Sequence, residues 1–376
     1  MKFFKKLICI TLCIALCAFT FSACKEEENK PDNTPTEPTI VFDSQVKNVI
    51  LFIGDGMGYN HVEQSIHYFN LDRPAFLNDE IASVSTRAKN ALTTDSAAAA
   101  TAMATGNRVD RTEIGMHKGE ILENISEIAK RAGKKVGVVT TDLLSGATPA
   151  GFSAHASDRD ETMQIALSQT TSNVDLLIGR ASEDFYYYNN AREDFEAQGY
   201  TFAVDEDQLI QNKNAQKLIA TLDMPYSTYS PEPQPEAMQI CDLLQFSIDY
   251  LTNDNGYFLM IESAYIDKFS HDNEYEKAMA EVRSMIDAID YLYANMPADT
   301  ALLITADHET GGLVEPGKTA VGGKLYASRS HTGVNAGLWG KNVKLQNVTN
   351  GCVENYFIFD ICITLLNIEN YKTVLA

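Results

Sequence analysis

Ser96 follows Thr93-Thr94-Asp95 and opens the run Ala97-Ala98-Ala99-Ala100-Thr101-Ala102, so a hydroxyl stands where an alanine-rich helix begins. A helix N-terminus offers free N–H donors and partial positive charge, which suits a phosphate-like anion and makes Ser96 a candidate nucleophile. Asp and Ser are equally ordinary helix caps, and this stretch alone does not choose between the two roles. Asp55 lies in Gly54-Asp55-Gly56-Met57-Gly58; the glycines let backbone and ions approach closely, and a carboxylate has two oxygens with which to bridge cations. Asp267 and His271, four apart, would share one helical face and supply part of a zinc shell. Asp307-His308 and His331, in Ser330-His331-Thr332-Gly333, could help complete tetrahedral shells. His61, His67, His117 and His155 stand in no comparable pattern.

Groups this far apart in sequence need a scaffold that gathers them. Apolar runs at 48–53, 135–140, 174–178, 257–261 and 301–305 read as strands buried on both faces. Helical patterns lie between them, most plainly at 274–293, where Ala278, Val282, Met285, Ile286 and Ile289 recur at helical spacing before Pro297. The alternation implies an α/β fold with a mostly parallel central sheet covered by helices on both faces. Four of these five strand exits carry a candidate ligand: Asp55, the loop with Thr148, Glu262, and Asp307-His308. In open α/β sheets the site forms outside the carboxyl ends of the strands, so these exits could converge on one crevice.

The first residues, with Lys2, Lys5 and Lys6 before an apolar run at 7–21, read as an export signal over 1–23, too short for a membrane span. Phe21-Ser22-Ala23-Cys24 resembles a bacterial lipoprotein box, which makes Cys24 the lipidated first residue of an exported chain held at a membrane, periplasmic or on the cell surface. Residues 24–45, rich in Glu, Pro, Thr and Asn, read as a flexible tether, and 46–376 as a single domain. Of seven cysteines only Cys241, Cys352 and Cys362 remain in that domain, an odd number that argues against a disulfide framework. Losing the three signal lysines takes the formal net charge from −21 to −24, which makes nucleic acid an unsuitable partner. A chain this acidic can hold phosphate only where metal ions and selected basic side chains reverse the sign locally.

Taken together and in order, the blocks 49–58, 93–106, 140–159, 258–273, 302–312 and 330–333 resemble the bacterial alkaline phosphatases, with weaker similarity at 175–188 and 223–226. The resemblance implies a phosphomonoesterase with two zinc ions and one magnesium ion. It assigns one zinc to Asp267, His271 and His331, and a second to Asp55, Asp307 and His308, with Ser96 approaching it in turnover. Asp55 then bridges to magnesium, shared with Thr148 and Glu262, while Arg159 binds substrate. Ser96 becomes phosphoserine, and a metal-bound water releases phosphate. With three divalent ions, four carboxylates, Arg159 and Lys268, the local formal charge is about +4, which welcomes a dianion.

Gly146 departs from the family pattern, standing where many members have Asp or His; Lys268 lacks that acidic partner, which implies looser magnesium binding or altered phosphate release. The superfamily's alternatives include the cofactor-independent phosphoglycerate mutases and, beside them, phosphodiesterases and sulfatases. Diesterases usually use Thr and lack the third metal site; sulfatases modify a Cys or Ser in a Cys/Ser-x-Pro-x-Arg context, whereas Ser96 is followed by alanines. Thr148, Glu262 and Arg159 together favour monoesters. A non-catalytic, lipid-anchored phosphate-binding protein would have lost a nucleophile or ligand, and none is lost. A homodimer is the assembly considered.

Overall fold

The apolar runs become the strands of a sheet whose order places the candidate ligands. The computed structural model describes residues 38–181, 191–224, 226–233 and 237–369. The signal segment, Cys24 and the tyrosine-rich stretch 185–188 lie outside the described residues. Among the described residues ten strands form the main sheet: β1 (Asn48–Gly54), β2 (Glu80–Ser85), β3 (Lys135–Leu143), β4 (Leu176–Arg180), β5 (Thr201–Ala203), β6 (Leu218–Thr221), β7 (Tyr257–Ser263), β8 (Thr300–Thr305), β9 (Ala336–Lys341) and β10 (Cys352–Glu354). Their spatial order is β10-β2-β9-β8-β1-β7-β3-β4-β6-β5. Only β9 runs against the rest, pairing antiparallel with β8 and β2. The expected α/β architecture, a large mostly parallel sheet with helices around it, is what the chain forms.

β1, β7 and β8 are buried at every position, as strands covered on both faces must be. Their side chains, with Phe52, Phe258, Leu259 and Leu303 wholly buried, join helix side chains in one continuous apolar core. Burying each such side chain contributes about 1.5–3 kcal/mol, which holds the central strands as a rigid base.

Register then aligns the exits. Thr140, Glu262, Ile53 and Thr305 lie in one row across β3, β7, β1 and β8. Two residues beyond Ile53 and Thr305 come Asp55 and Asp307, so parallel strands of matched register deliver acids to one edge.

The alanine-rich helix, Ser96–Thr105, has all ten residues buried. Small side chains let it lie close against the Ala147–Ser153 helix: a Cβ added at Gly151 would stand 2.8 Å from Ala100 Cβ. It ends at Gly106, whose φ of 71° is the left-handed conformation that glycine adopts readily.

The tether boundary is corrected. Thr39–Phe42 forms a strand paired antiparallel with Val343–Gln346. Thr39, Ile40, Val41 and Phe42 are β-branched or aromatic, so the composition changes from tether to strand before residue 45.

Candidate active site

At Ser96 the two competing roles separate. Asp95 is the N-cap, accepting from the Ala98 amide at 3.1 Å, so Ser96 occupies the first helical position and its hydroxyl is not needed for capping. Ser96 Oγ instead lies 3.2 Å from His308 Nε2. The same nitrogen lies 3.1 Å from Asp307 Oδ2 and 3.6 Å from Asp55 Oδ1. Asp307 Oδ1 is held by the amides of Gly56 at 3.0 Å and His308 at 2.9 Å. That leaves Asp307 Oδ2 and Asp55 Oδ1 buried without hydrogen-bond partners.

A second group lies alongside. Asp267 and His271 share the Tyr265–Asp272 helix, and the hairpin of Glu309–Thr310 with His331–Thr332 brings in His331. Nε2 of His271 and His331 are 3.0 Å apart, and lie 3.4 and 3.6 Å from Asp267 Oδ1. The rings of His308 and His331 stack with centroids 3.5 Å apart, joining the two groups.

The outer nitrogens fix the inner ones. Nδ1 of His271 meets the Arg329 carbonyl at 2.5 Å, and Nδ1 of His331 meets the Thr94 carbonyl at 3.0 Å. A carbonyl can only accept, so each Nδ1 carries the proton and each Nε2 turns a lone pair inward. Thr310 donates to Asp267 Oδ1 and has its oxygen 3.2 Å from His308 Nδ1, which orients His308 the same way. Three inward lone pairs and two bare carboxylate oxygens are the donor set of a metal centre, and the trios Asp267-His271-His331 and Asp55-Asp307-His308 each have ligand atoms within 4.8 Å of one another.

A third region contains only oxygens. Glu262 accepts from Thr140 Oγ1, while Thr148, in the first turn of the Ala147–Ser153 helix rather than in a loop, has a buried Oγ1 with no hydrogen-bond partner.

Electrostatics agree with the donor chemistry. Burial pushes the Asp55 carboxyl well above its ordinary range, and the charges of Asp307, Asp267 and Glu262 push it the same way. Burial likewise raises Asp307. Glu262 is pushed up to about 8 by burial and by the charges of Asp142 and Asp307, against the opposing bond from Thr140. Burial lowers His308, helped by the charge of His331. Carboxyls that resist ionisation beside an imidazole that resists protonation suit a multivalent cation.

The profile of the family described as Alkaline phosphatase matches residues 46–179 and 184–356. The chain belongs to the alkaline phosphatase family. It is 32% identical over 295 residues to Alkaline phosphatase 4 of Bacillus subtilis, covering 72% of this chain and 62% of that protein. To Alkaline phosphatase 3 of Bacillus subtilis it is 30% identical over 334 residues, covering 83% and 70%. The chain thus spans less than two thirds of the first relative's length. The structure of alkaline phosphatase from the Antarctic bacterium TAB5 superposes with a TM-score of 0.74 at 24% identity, covering 86% of this chain and 99% of that one.

Every candidate that the alkaline phosphatase resemblance singled out falls at this one edge of the sheet or beside it. Arg159 reaches the site from the side, with Nη1 3.6 Å from Asp95 Oδ2. Lys268 is in place too, but not without an acid: its ammonium pairs with Asp142 Oδ1, from the end of β3. Asp142, Thr140 and Thr310 were not singled out from sequence. Asp142 follows the 135–140 run as Asp55 follows 48–53, and Thr140 closes that run, whereas Thr310 had no signal beyond its place two residues after His308.

Of the remaining histidines, His61, His117 and His155 have local partners. His61 is buried, with Nε2 3.0 Å from Ser270 Oγ and its pKa lowered to about 3 by burial. His155 Nε2 lies 3.0 Å from Glu127. Asp110, Glu113 and His117 also cluster, but Glu113 Oε2 already accepts from the Asp110 amide and lies 2.8 Å from His117 Nδ1. Lys89 Nζ stands 2.8 Å from His117 Nε2, so both ring nitrogens of His117 already have partners.

Proposed function

We propose that this chain is a metal-dependent phosphomonoesterase acting through a phosphoserine on Ser96 and releasing an alcohol and inorganic phosphate. The observation that carries the reading is Ser96 Oγ at 3.2 Å from His308 Nε2, at the start of a buried helix. The oxygens left unpaired there, Asp55 Oδ1, Asp307 Oδ2 and Thr148 Oγ1, belong to three of the residues expected to bind metals. The imidazole-containing sets, Asp267-His271-His331 and Asp55-Asp307-His308, suit zinc, and the oxygen-only set of Asp55, Thr148 and Glu262 suits magnesium. A TAB5 alkaline phosphatase variant has Mg bound in its M3 site, which supports a magnesium role for this set. Such ions, when bound, lower the pKa of a hydroxyl or water and stabilise charge on a departing oxygen.

The chain's own groups supply attack and position. Asp95 and the packed helix hold Ser96 Oγ at the acids and histidines, and the free amides at the helix start face the phosphoryl group. Ser96 Oγ gives its proton to solvent and bonds to phosphorus as the bond to the alcohol oxygen breaks, and the departing oxygen takes a proton from solvent to leave as the alcohol. Water then bonds to the same phosphorus, and the Ser96–phosphorus bond breaks to restore the serine and release phosphate. The Arg159 guanidinium can grip two non-bridging oxygens with its planar fork. The lipoprotein box at Cys24 supports an exported, lipid-anchored enzyme that meets its esters outside the cytoplasm.

After reconstitution with zinc and magnesium, 4-nitrophenyl phosphate, bis(4-nitrophenyl) phosphate and 4-nitrophenyl sulfate should be compared under matched conditions. The monoester is expected to be turned over fastest by orders of magnitude in kcat/KM. Preference for the diester or the sulfate would move the chain to another reaction in the superfamily. Hydrolysis of none would leave a phosphate-binding lipoprotein.

A further inference from the structure

Lys268 and Gly146 are linked by Asp142, four residues before Gly146 in the 140–159 stretch. The Lys268 ammonium pairs with Asp142 Oδ1 and lies 5.0 Å from the centroid of the Tyr265 ring. The Asp142 amide donates to Thr140 Oγ1 at 2.9 Å, and Thr140 in turn donates to Glu262, so the pair is tied to the oxygen-lined end of the site. A Cβ added at Gly146 would stand 3.2 Å from Asp142 Oδ2 and 2.8 Å from the Leu143 carbonyl oxygen. A side chain at 146 and the Asp142 carboxylate therefore compete for one space.

We propose that Asp142 is the positioning residue for Lys268: its carboxylate fills the space that the bare Gly146 leaves, partly neutralises the ammonium and holds it back from bound phosphate. The inference rests on the phosphomonoesterase reading and deepens it. Counting Asp142 lowers the local formal charge from about +4 to about +3. One cation fewer acting freely on the dianion weakens its binding and speeds product release.

The test is calorimetric titration of inorganic phosphate into the zinc- and magnesium-reconstituted protein, read beside thermal melts and kcat on 4-nitrophenyl phosphate. Asp142→Asn should bind phosphate three- to tenfold more tightly, with a lower kcat where release limits turnover and little change in melting temperature. Tighter binding is a gain that simple damage to the fold would not produce. Asp142→Asn with Gly146→Asp, which returns the carboxylate from the neighbouring position, should bring phosphate affinity back to within twofold of the parent. Phosphate affinity in Asp142→Asn within twofold of the parent, or weaker, would overturn the proposal. A folded double variant that still binds phosphate as tightly as Asp142→Asn would overturn the shared-space argument. A parent that binds phosphate but hydrolyses no ester would sink the enzymatic reading alone, because the affinity comparison still decides the role of Asp142. A parent that binds no phosphate would overturn both.

Discussion

At the scale of single residues, the hydrogen-bonded neighbours say more than the residue types do. Ser96 and Asp95 are both ordinary cap residues, and only the structure divides the work between them: Asp95 caps, and Ser96 faces His308. Asp55, Asp267, His271, Asp307, His308 and His331 were legible because metal chemistry restricts which side chains can serve as ligands. Thr310 was not legible, since a hydroxyl that touches ligands rather than a metal carries no such restriction. Its single oxygen contacts both groups, donating to Asp267 and lying beside His308 Nδ1. Thr310→Val should therefore lower zinc affinity by about 10–100-fold, measured by competition with a chromogenic chelator, while the metal-free protein keeps its melting temperature to within a few degrees. Unchanged affinity would show that Thr310 only fills space.

At the scale of elements, strand interiors were readable and strand ends were not. The runs at 48–53 and 257–261 extend to Gly54 and Ser263, because matched pairing with neighbouring strands continues past the last apolar side chain. For the same reason Glu262 lies inside β7, not after it. The 39–42 strand was missed inside a tether because its four β-branched or aromatic residues were read together with the polar stretch before them, and its partner, Val343–Gln346, lies far along the chain. The helix read at 274–293 spans Tyr275–Asn295 and hides a feature that its periodicity does not announce. Glu281 is buried, accepts the Ser227 amide at 2.8 Å, and is pushed up to about 7 by burial. Its folded pKa exceeds the ordinary 4.5. Its contribution to stability is therefore fully present below the ordinary value and is lost as pH rises through about 7. Glu281→Gln keeps an acceptor for Ser227 and cannot ionise. Thermal melts should show the variant more stable than the parent at pH 8, by roughly 1–3 kcal/mol, with the gap shrinking toward pH 5. A difference independent of pH would contradict this.

At the scale of the whole molecule, the acidic composition and the anionic substrate are reconciled by geometry. A formal charge of −21 over the chain would repel phosphate, yet the sheet collects its acids at one edge, where their unpaired oxygens and three inward imidazoles can hold cations. The fold class was legible because alternating strand and helix patterns with buried runs permit few arrangements. Strand order was not, since β1 lies between β7 and β8, far away in sequence. The central claim is that this convergence makes Ser96 a nucleophile. Its most direct measurement is an acid quench of the reconstituted protein during turnover of a phosphomonoester, followed by peptide mapping by mass spectrometry. The account predicts covalent phosphate on Ser96, absent from a folded Ser96→Ala variant that still binds its metals. Covalent phosphate on another side chain, or sustained turnover in Ser96→Ala at the parent's rate, would contradict it.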